Sequence, residues 1–127
     1  MLHPLHHKKV KKGQTDFYSI KVDREFVSPM GVVDLEPVDL TGWKFWMYVH
    51  KHVEYCCQNE VCKVVGFVPS PEDGIIYFTT LGCKIDVPPG MYWYSIKYES
   101  PNGKTFMTKS AKYEIVESFN DYFSIYK

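Results

Sequence analysis

An all-β fold, an antiparallel β-sandwich of about seven strands, is the architecture this sequence predicts. Three observations predict it. Apolar and polar residues alternate with period 2 along much of the chain, no stretch sustains a helical period, and Pro, Gly, Asn and Asp clusters punctuate it at short intervals. The chain has 127 residues, 45% hydrophobic and 17% aromatic. That is one domain, able to bury about two-thirds of its unfolded surface and too rich in aromatics for wholesale disorder.

Thr15 to Val22 alternates weakly and reads as a first strand, followed by the turn signal Ser28-Pro29-Met30-Gly31. Asp39-Leu40-Thr41-Gly42 launches the strongest strand, Trp43 to His50, and Val61 to Val68 is the third. Pro69-Ser70-Pro71-Glu72-Asp73-Gly74 breaks the chain, because two prolines remove ladder donors and Gly74 accepts a positive φ. Ile75 to Thr80 follows, then Pro88-Pro89-Gly90 and the strand Met91 to Glu99. Ser100-Pro101-Asn102-Gly103 is a hairpin turn, and Thr105–Lys109 and Lys112–Glu117 complete the set. Seven short strands so spaced suggest an immunoglobulin-like arrangement, by architecture only: the Cys…Trp…Cys core of antibody domains is not found.

The formal net charge is zero, from 15 basic and 15 acidic residues. Bulk electrostatic binding of nucleic acid is therefore not expected. No apolar run approaches the roughly 20 residues of a membrane span, so no membrane partner is expected either. The zero hides an asymmetry. Residues 1–12 carry Lys8, Lys9, Lys11 and Lys12 and no acid, so 13–127 hold 11 basic against 15 acidic residues, a net of −4. The chain thus divides into a basic N-terminal arm (1–12), a mildly acidic sandwich (13–117) and a tail (118–127). The arm lacks the apolar stretch of about 7–15 residues that a signal peptide needs. It reads either as a solvated terminus or as an anchor along an acidic partner. The tail holds five large apolar residues in ten, among them Phe119, Tyr122, Phe123 and Tyr126. Exposed, it would be an aggregation liability, so it either folds back on its own domain or docks on a neighbour.

The punctuating motifs resemble those of a known family. Asp39-Leu40-Thr41-Gly42-Trp43-Lys44-Phe45-Trp46 resembles a DLTGW-type strand opening, and Pro69-Ser70-Pro71-Glu72-Asp73-Gly74-Ile75-Ile76 a proline-rich turn into a hairpin. Pro88-Pro89-Gly90-Met91-Tyr92-Trp93-Tyr94-Ser95-Ile96, then Pro101-Asn102-Gly103-Lys104, resembles a PPGxYxYxI…DG block. In this order and spacing, over about residues 13–117, they resemble the immunoglobulin-like domain at the N-terminus of phage baseplate upper proteins, which also occurs alone in small tailed-phage proteins. The resemblance implies a non-enzymatic virion part, made in the host cytoplasm, that docks on other virion proteins. No long fibre or receptor-binding region follows in this sequence, which leaves capsid decoration beside a tail or baseplate adaptor as the expected roles.

Strand faces supply the candidate interface. In Met91–Glu99, Tyr92, Tyr94, Ile96 and Tyr98 share the side expected to face the core, while Ser95 and Lys97 mark the other as outward. In Trp43–His50, Lys44 and His50 mark the outward side and leave Trp43, Phe45, Met47 and Val49 for the core. Trp46, Tyr48, Met91 and Trp93 are therefore expected on outer faces, where Trp, Tyr and Met favour a protein–protein interface. With the arm lysines and tail aromatics they form the candidate contact set. The expected partners are shell, tail or baseplate subunits, or further copies of this chain as a homo-oligomer. The alternative is a carbohydrate-binding adhesion module on the virion or cell surface, stacking sugars on flat aromatic faces such as that of Trp46.

Chemistry finds fewer candidates. Cys56, Cys57, Cys62 and Cys83 read as reduced, partly buried thiols, with a Cys57–Cys62 disulfide or a zinc site with His50 and His52 as lesser readings. The Cys-Cys-x4-Cys spacing has no second knuckle, so no metal or cofactor is expected. The chain has no G-x-S-x-G, P-loop or H-E-x-x-H pattern, and Glu72 and Asp73 sit in a turn, so no catalytic residues are assigned.

Overall fold

A computed structural model describes residues 5–12, 17–27, 29–31, 33–80 and 87–116. Ten strands run in chain order among these residues: β1 (Lys8–Lys11), β2 (Phe17–Lys21), β3 (Asp23–Val27), β4 (Val33–Pro37), β5 (Lys44–His50), β6 (Glu60–Val65), β7 (Ile75–Thr79), β8 (Gly90–Glu99), β9 (Thr105–Met107) and β10 (Ala111–Val116). Two single-turn 3-10 helices, Cys57–Asn59 and Pro71–Asp73, stand before β6 and β7. No helix among the described residues is long and apolar enough to cross a membrane. The fold is all-β.

Alternation places the core. A six-stranded sheet runs in the order β1-β10-β8-β5-β6, with β9 added to β8. Along β5, Phe45, Met47 and Val49 point to one side and are buried. They share one cluster with Cys62 and Val64 of β6, Tyr94 and Ile96 of β8, and Tyr113 and Ile115 of β10. The antiparallel β2–β7 ladder covers this face, adding Ile76 and Phe78 to the cluster and seating Tyr18 against it. The rings of Tyr18, Tyr94 and Tyr113 pack edge to face, each centroid 5.8 Å from the next.

The expected strands from Trp43 onward are present within one or two residues at most ends, and the Ser100–Gly103 hairpin closes with Gly103 at φ 90°. The Asp39-Leu40-Thr41-Gly42 opening is a side-chain-capped turn. The Asp39 carboxylate accepts the Thr41 amide at 3.0 Å and its hydroxyl at 2.6 Å, which holds the acid below the usual carboxylate range. Gly42 then takes φ 81°.

Three strands were not expected. The basic arm is the first: Lys8–Lys11 pairs parallel with β10, Lys8 opposite Tyr113 and Lys11 opposite Val116. Residues 8–11 of the arm are thus an edge strand of the large sheet. His6, just before it, accepts a hydrogen bond from the Tyr94 hydroxyl through its carbonyl, and Lys8 lays its ammonium 4.1 Å from the Tyr18 ring centre. The other two are β3 and β4, which form a separate antiparallel hairpin around the foreseen Ser28–Gly31 turn.

The expected strand Val61–Val68 ends early for a packing reason. At Gly66 the chain leaves β5 and crosses to β7: the Gly66 amide donates to Phe45 at 2.7 Å, and Phe67 exchanges two 2.8 Å bonds with Tyr77. A Cβ on Gly66 would lie 2.8 Å from Phe45 Cβ and 2.9 Å from Phe78 Cε1. Only glycine lets the two layers approach this closely. Gly66→Ala is therefore expected to destabilise the fold by about 1–3 kcal/mol through overpacking. Urea denaturation checks this, and an unchanged midpoint would contradict the close approach.

Candidate interaction surface

The outer face of the six-stranded sheet is laid out by register. Val65, Trp46, Lys97 and Met107 form one row across β6, β5, β8 and β9. The next row holds Lys63, Tyr48 and Ser95, and a third holds His50, Trp93 and Lys112. Met91 stands opposite Glu114, and Glu114 opposite Lys9.

The middle of this face is not open. Tyr48, expected outward, is only 5% exposed, and His50 and Ser95, used to mark the outward side, are buried. The cause is the segment 51–56 folding back over them. Asn59 pins that segment: its side-chain amide donates to the Glu54 carbonyl at 2.9 Å, and its side-chain oxygen accepts the Cys56 amide at 3.1 Å. Tyr55 then packs on Tyr48 with ring centres 4.5 Å apart and meets His50 edge-on at 5.5 Å, its hydroxyl donating to Glu60 at 2.7 Å. Lys63 reaches over the remaining side of Tyr48 at 5.7 Å. Tyr48 is thus a covered residue rather than a contact residue.

His50 is satisfied on both ring nitrogens. Nδ1 faces the His52 carbonyl, and Nε2 lies 3.1 Å from Ser95 Oγ. The carbonyl requires the proton on Nδ1, so Nε2 accepts from the serine hydroxyl. His52 lies beyond the end of β5 and is exposed, so the two histidines do not share a strand face as the zinc reading required. Cys62 is disulfide-bonded and Cys56 is a free, exposed thiol, which corrects the expectation of four reduced cysteines. The side chain of Cys57 and all of Cys83 lie outside the described residues. No group of three or more metal-ligating side chains occurs among the described residues.

The other expected contact residues are distributed. Met91 is exposed, Trp93 is half-buried, and Trp46 is half-buried with the Lys97 ammonium 5.4 Å from its ring centre. Lys9 and Lys11 are exposed along β1, while Lys8 and Lys12 are half-buried. His7, next to this strand, places Nε2 3.4 Å from the Glu114 carboxylate of β10. Phe119, Tyr122, Phe123 and Tyr126 lie outside the described residues.

Two exposed apolar regions were missed. The β3–β4 hairpin carries Met30 at its tip, 90% exposed, and Val33 and Leu35 on one face of β4, 59% and 63% exposed. An open groove of about 390 Å³ is lined by Phe17, Val65, Phe67 and Tyr77, with Ser19 and Thr79 as its polar members. The Val33-Asp34-Leu35-Glu36 alternation was a usable signal for the first. The groove had none, because it joins three distant segments.

Burial holds the His50 imidazole below its ordinary value of 6.5, outweighing the opposing hydrogen bond to His52. The unfolded chain then binds the extra proton first as pH falls. The His50 contribution to stability is complete above about pH 6.5 and declines below it, at no more than about 1.4 kcal/mol per pH unit. Denaturant midpoints between pH 7 and 5 check this. The wild-type slope is expected to flatten in His50→Gln, and equal slopes would exclude His50 as its source.

No protein-family model matches this chain, and no curated protein matches it.

Proposed function

We propose that this chain is a non-enzymatic structural protein of a tailed-phage virion. It would be an immunoglobulin-like sandwich that docks on neighbouring subunits as a capsid decoration protein or a tail or baseplate adaptor. The fold part of this reading is supported by strand order. On an immunoglobulin reading β10, β8, β5 and β6 would correspond to G, F, C and C′ in one sheet, and β2 and β7 to the paired B and E of the other. The motifs that carry the phage resemblance fall at the turns of this frame, with Asp39–Gly42 before β5 and Pro88–Gly90 at the start of β8.

The observation that carries the docking part is the β3–β4 hairpin. It joins no other strand among the described residues and presents Met30, Val33 and Leu35 to solvent. A lone two-stranded hairpin is marginally stable in water, and an exposed apolar strip on it is an interaction surface by default. A neighbouring subunit with an apolar strip of its own would bury it. Repeated copies on a symmetric particle would multiply a weak contact by avidity.

The test is attachment. The protein is expected to cosediment with purified particles, at shell-like abundance for a decoration protein or at a few copies for an adaptor. The double variant Val33→Asp, Leu35→Asp is expected to lower the particle-bound fraction about tenfold, as loss of an interface anchor does. Its thermal stability should stay close to wild type, as for exposed positions. Absence from particles, or full attachment of the variant, overturns the reading.

A further inference from the structure

The groove beside β7 is not part of the hairpin. Phe17 is 73% exposed, and Val65 and Phe67 project as openly, an uncommon cost for three large apolar side chains converging on one depression. No charged side chain lines it among the described residues. Its volume, about 390 Å³, lies at the lower end of the range of binding pockets, about 300–1,000 Å³. The lining therefore selects an apolar or aromatic occupant over an ion or a charged metabolite.

Chain geometry narrows the choice. β10 ends at Val116, whose carbonyl accepts the Lys12 amide at 2.9 Å, so the C-terminal segment departs from beside Lys12. Phe17, at the groove's own lining, stands five positions on from Lys12, a span of at most about 18 Å. Residues 117–127 number eleven and reach up to about 36 Å when extended. They hold Phe119, Tyr122, Phe123, Ile125 and Tyr126, the side-chain chemistry the groove lacks for closure. A segment tethered this near also meets the groove at a high effective concentration, ahead of any free partner.

We propose that this groove, lined by Phe17, Val65, Phe67 and Tyr77, is an intramolecular docking site for the aromatic C-terminal segment 117–127 of the same chain. The assignment is independent of the virion reading and holds for the isolated protein.

The test uses the full chain. With Tyr122 replaced by the photo-crosslinker p-benzoylphenylalanine, irradiation is expected to give a product of monomer mobility, with mass spectrometry placing the bond on the groove residues. A crosslink at dimer mobility would assign the groove to a second copy, and one elsewhere on the domain, or none, would likewise overturn the proposal. In a second measurement, Phe67→Glu is expected to raise the rate of chymotryptic cleavage after residues 119–126 about tenfold, since cleavage tracks the undocked fraction. Phe67 is exposed, so the fold should persist. Equal cleavage rates in wild type and variant would also overturn the assignment.

Discussion

The hydroxyl of Tyr94 is the point on which the arrangement of this domain turns. β8 is the central strand, paired to β5 on one side and to β9 and β10 on the other, and Tyr94 lies fully buried within it. A buried phenol without a partner costs roughly 1–3 kcal/mol, so the fold has to bring an acceptor to it. The acceptor is the His6 carbonyl, supplied from the start of the chain. Meeting that need brings the N-terminal segment across the core and leads directly into β1 on β10. The same hydroxyl lies 3.3 Å from that of Tyr18, so one buried polar group links β8 to both the first and the second strand. Lys8 closes the stack over Tyr18.

A second polar constraint organises the opposite face of β8. Ser95, the next residue, points away from Tyr94 and is buried as well, against His50. The outward side of a two-layer fold ordinarily stays wet, and here it is dry because Asn59 holds the segment 51–56 over it. The register shift between Val49 and His50 accompanies this change, and four consecutive residues of β5, Met47 to His50, are buried. The result splits the outer face. Trp46 and Met107 lie on one flank, Trp93 and Met91 on the other, and the covered Tyr48–His50–Ser95 saddle separates them.

Legibility in the sequence followed the range of the interactions involved. The strands around Trp43–His50 and Met91–Glu99 were readable because their alternation is strong and their turns are local, down to the Asp39–Thr41 hydrogen bonds. Lys8–Lys11 was unreadable as a strand, since a lysine run looks solvated and its pairing with residues 113–116 leaves no local trace. The Ser28–Gly31 turn was found without its strands, although Val33 and Leu35 alternate with acids. His50 was misread for a sharper reason. A polar residue was taken to mark water, whereas a histidine with both nitrogens engaged is at home in a dry site. Tyr48 followed it into the wrong class, because the cover comes from a separate segment that periodicity does not register. Gly66 shows the converse limit: the residue was visible, but the crossing that requires it was not.

The two edges of the large sheet are treated in opposite ways, and this bears on how the domain meets other molecules. On one edge β1 presents Lys9 and Lys11 to solvent, and charge along an exposed strand discourages another strand from adding to it. On the other, β6 offers Lys63 at its middle but ends in Val65, and the chain then turns through Gly66 into Phe67 beside Tyr77. The row from Met107 through Lys97 and Trp46 ends in the exposed Val65, which also lines the groove that Phe17 completes. Charge lines the edge formed by β1, and exposed apolar side chains gather where the layers meet at Gly66. One edge is thus guarded by charge, while the other leaves Val65 and Phe67 exposed beside the groove.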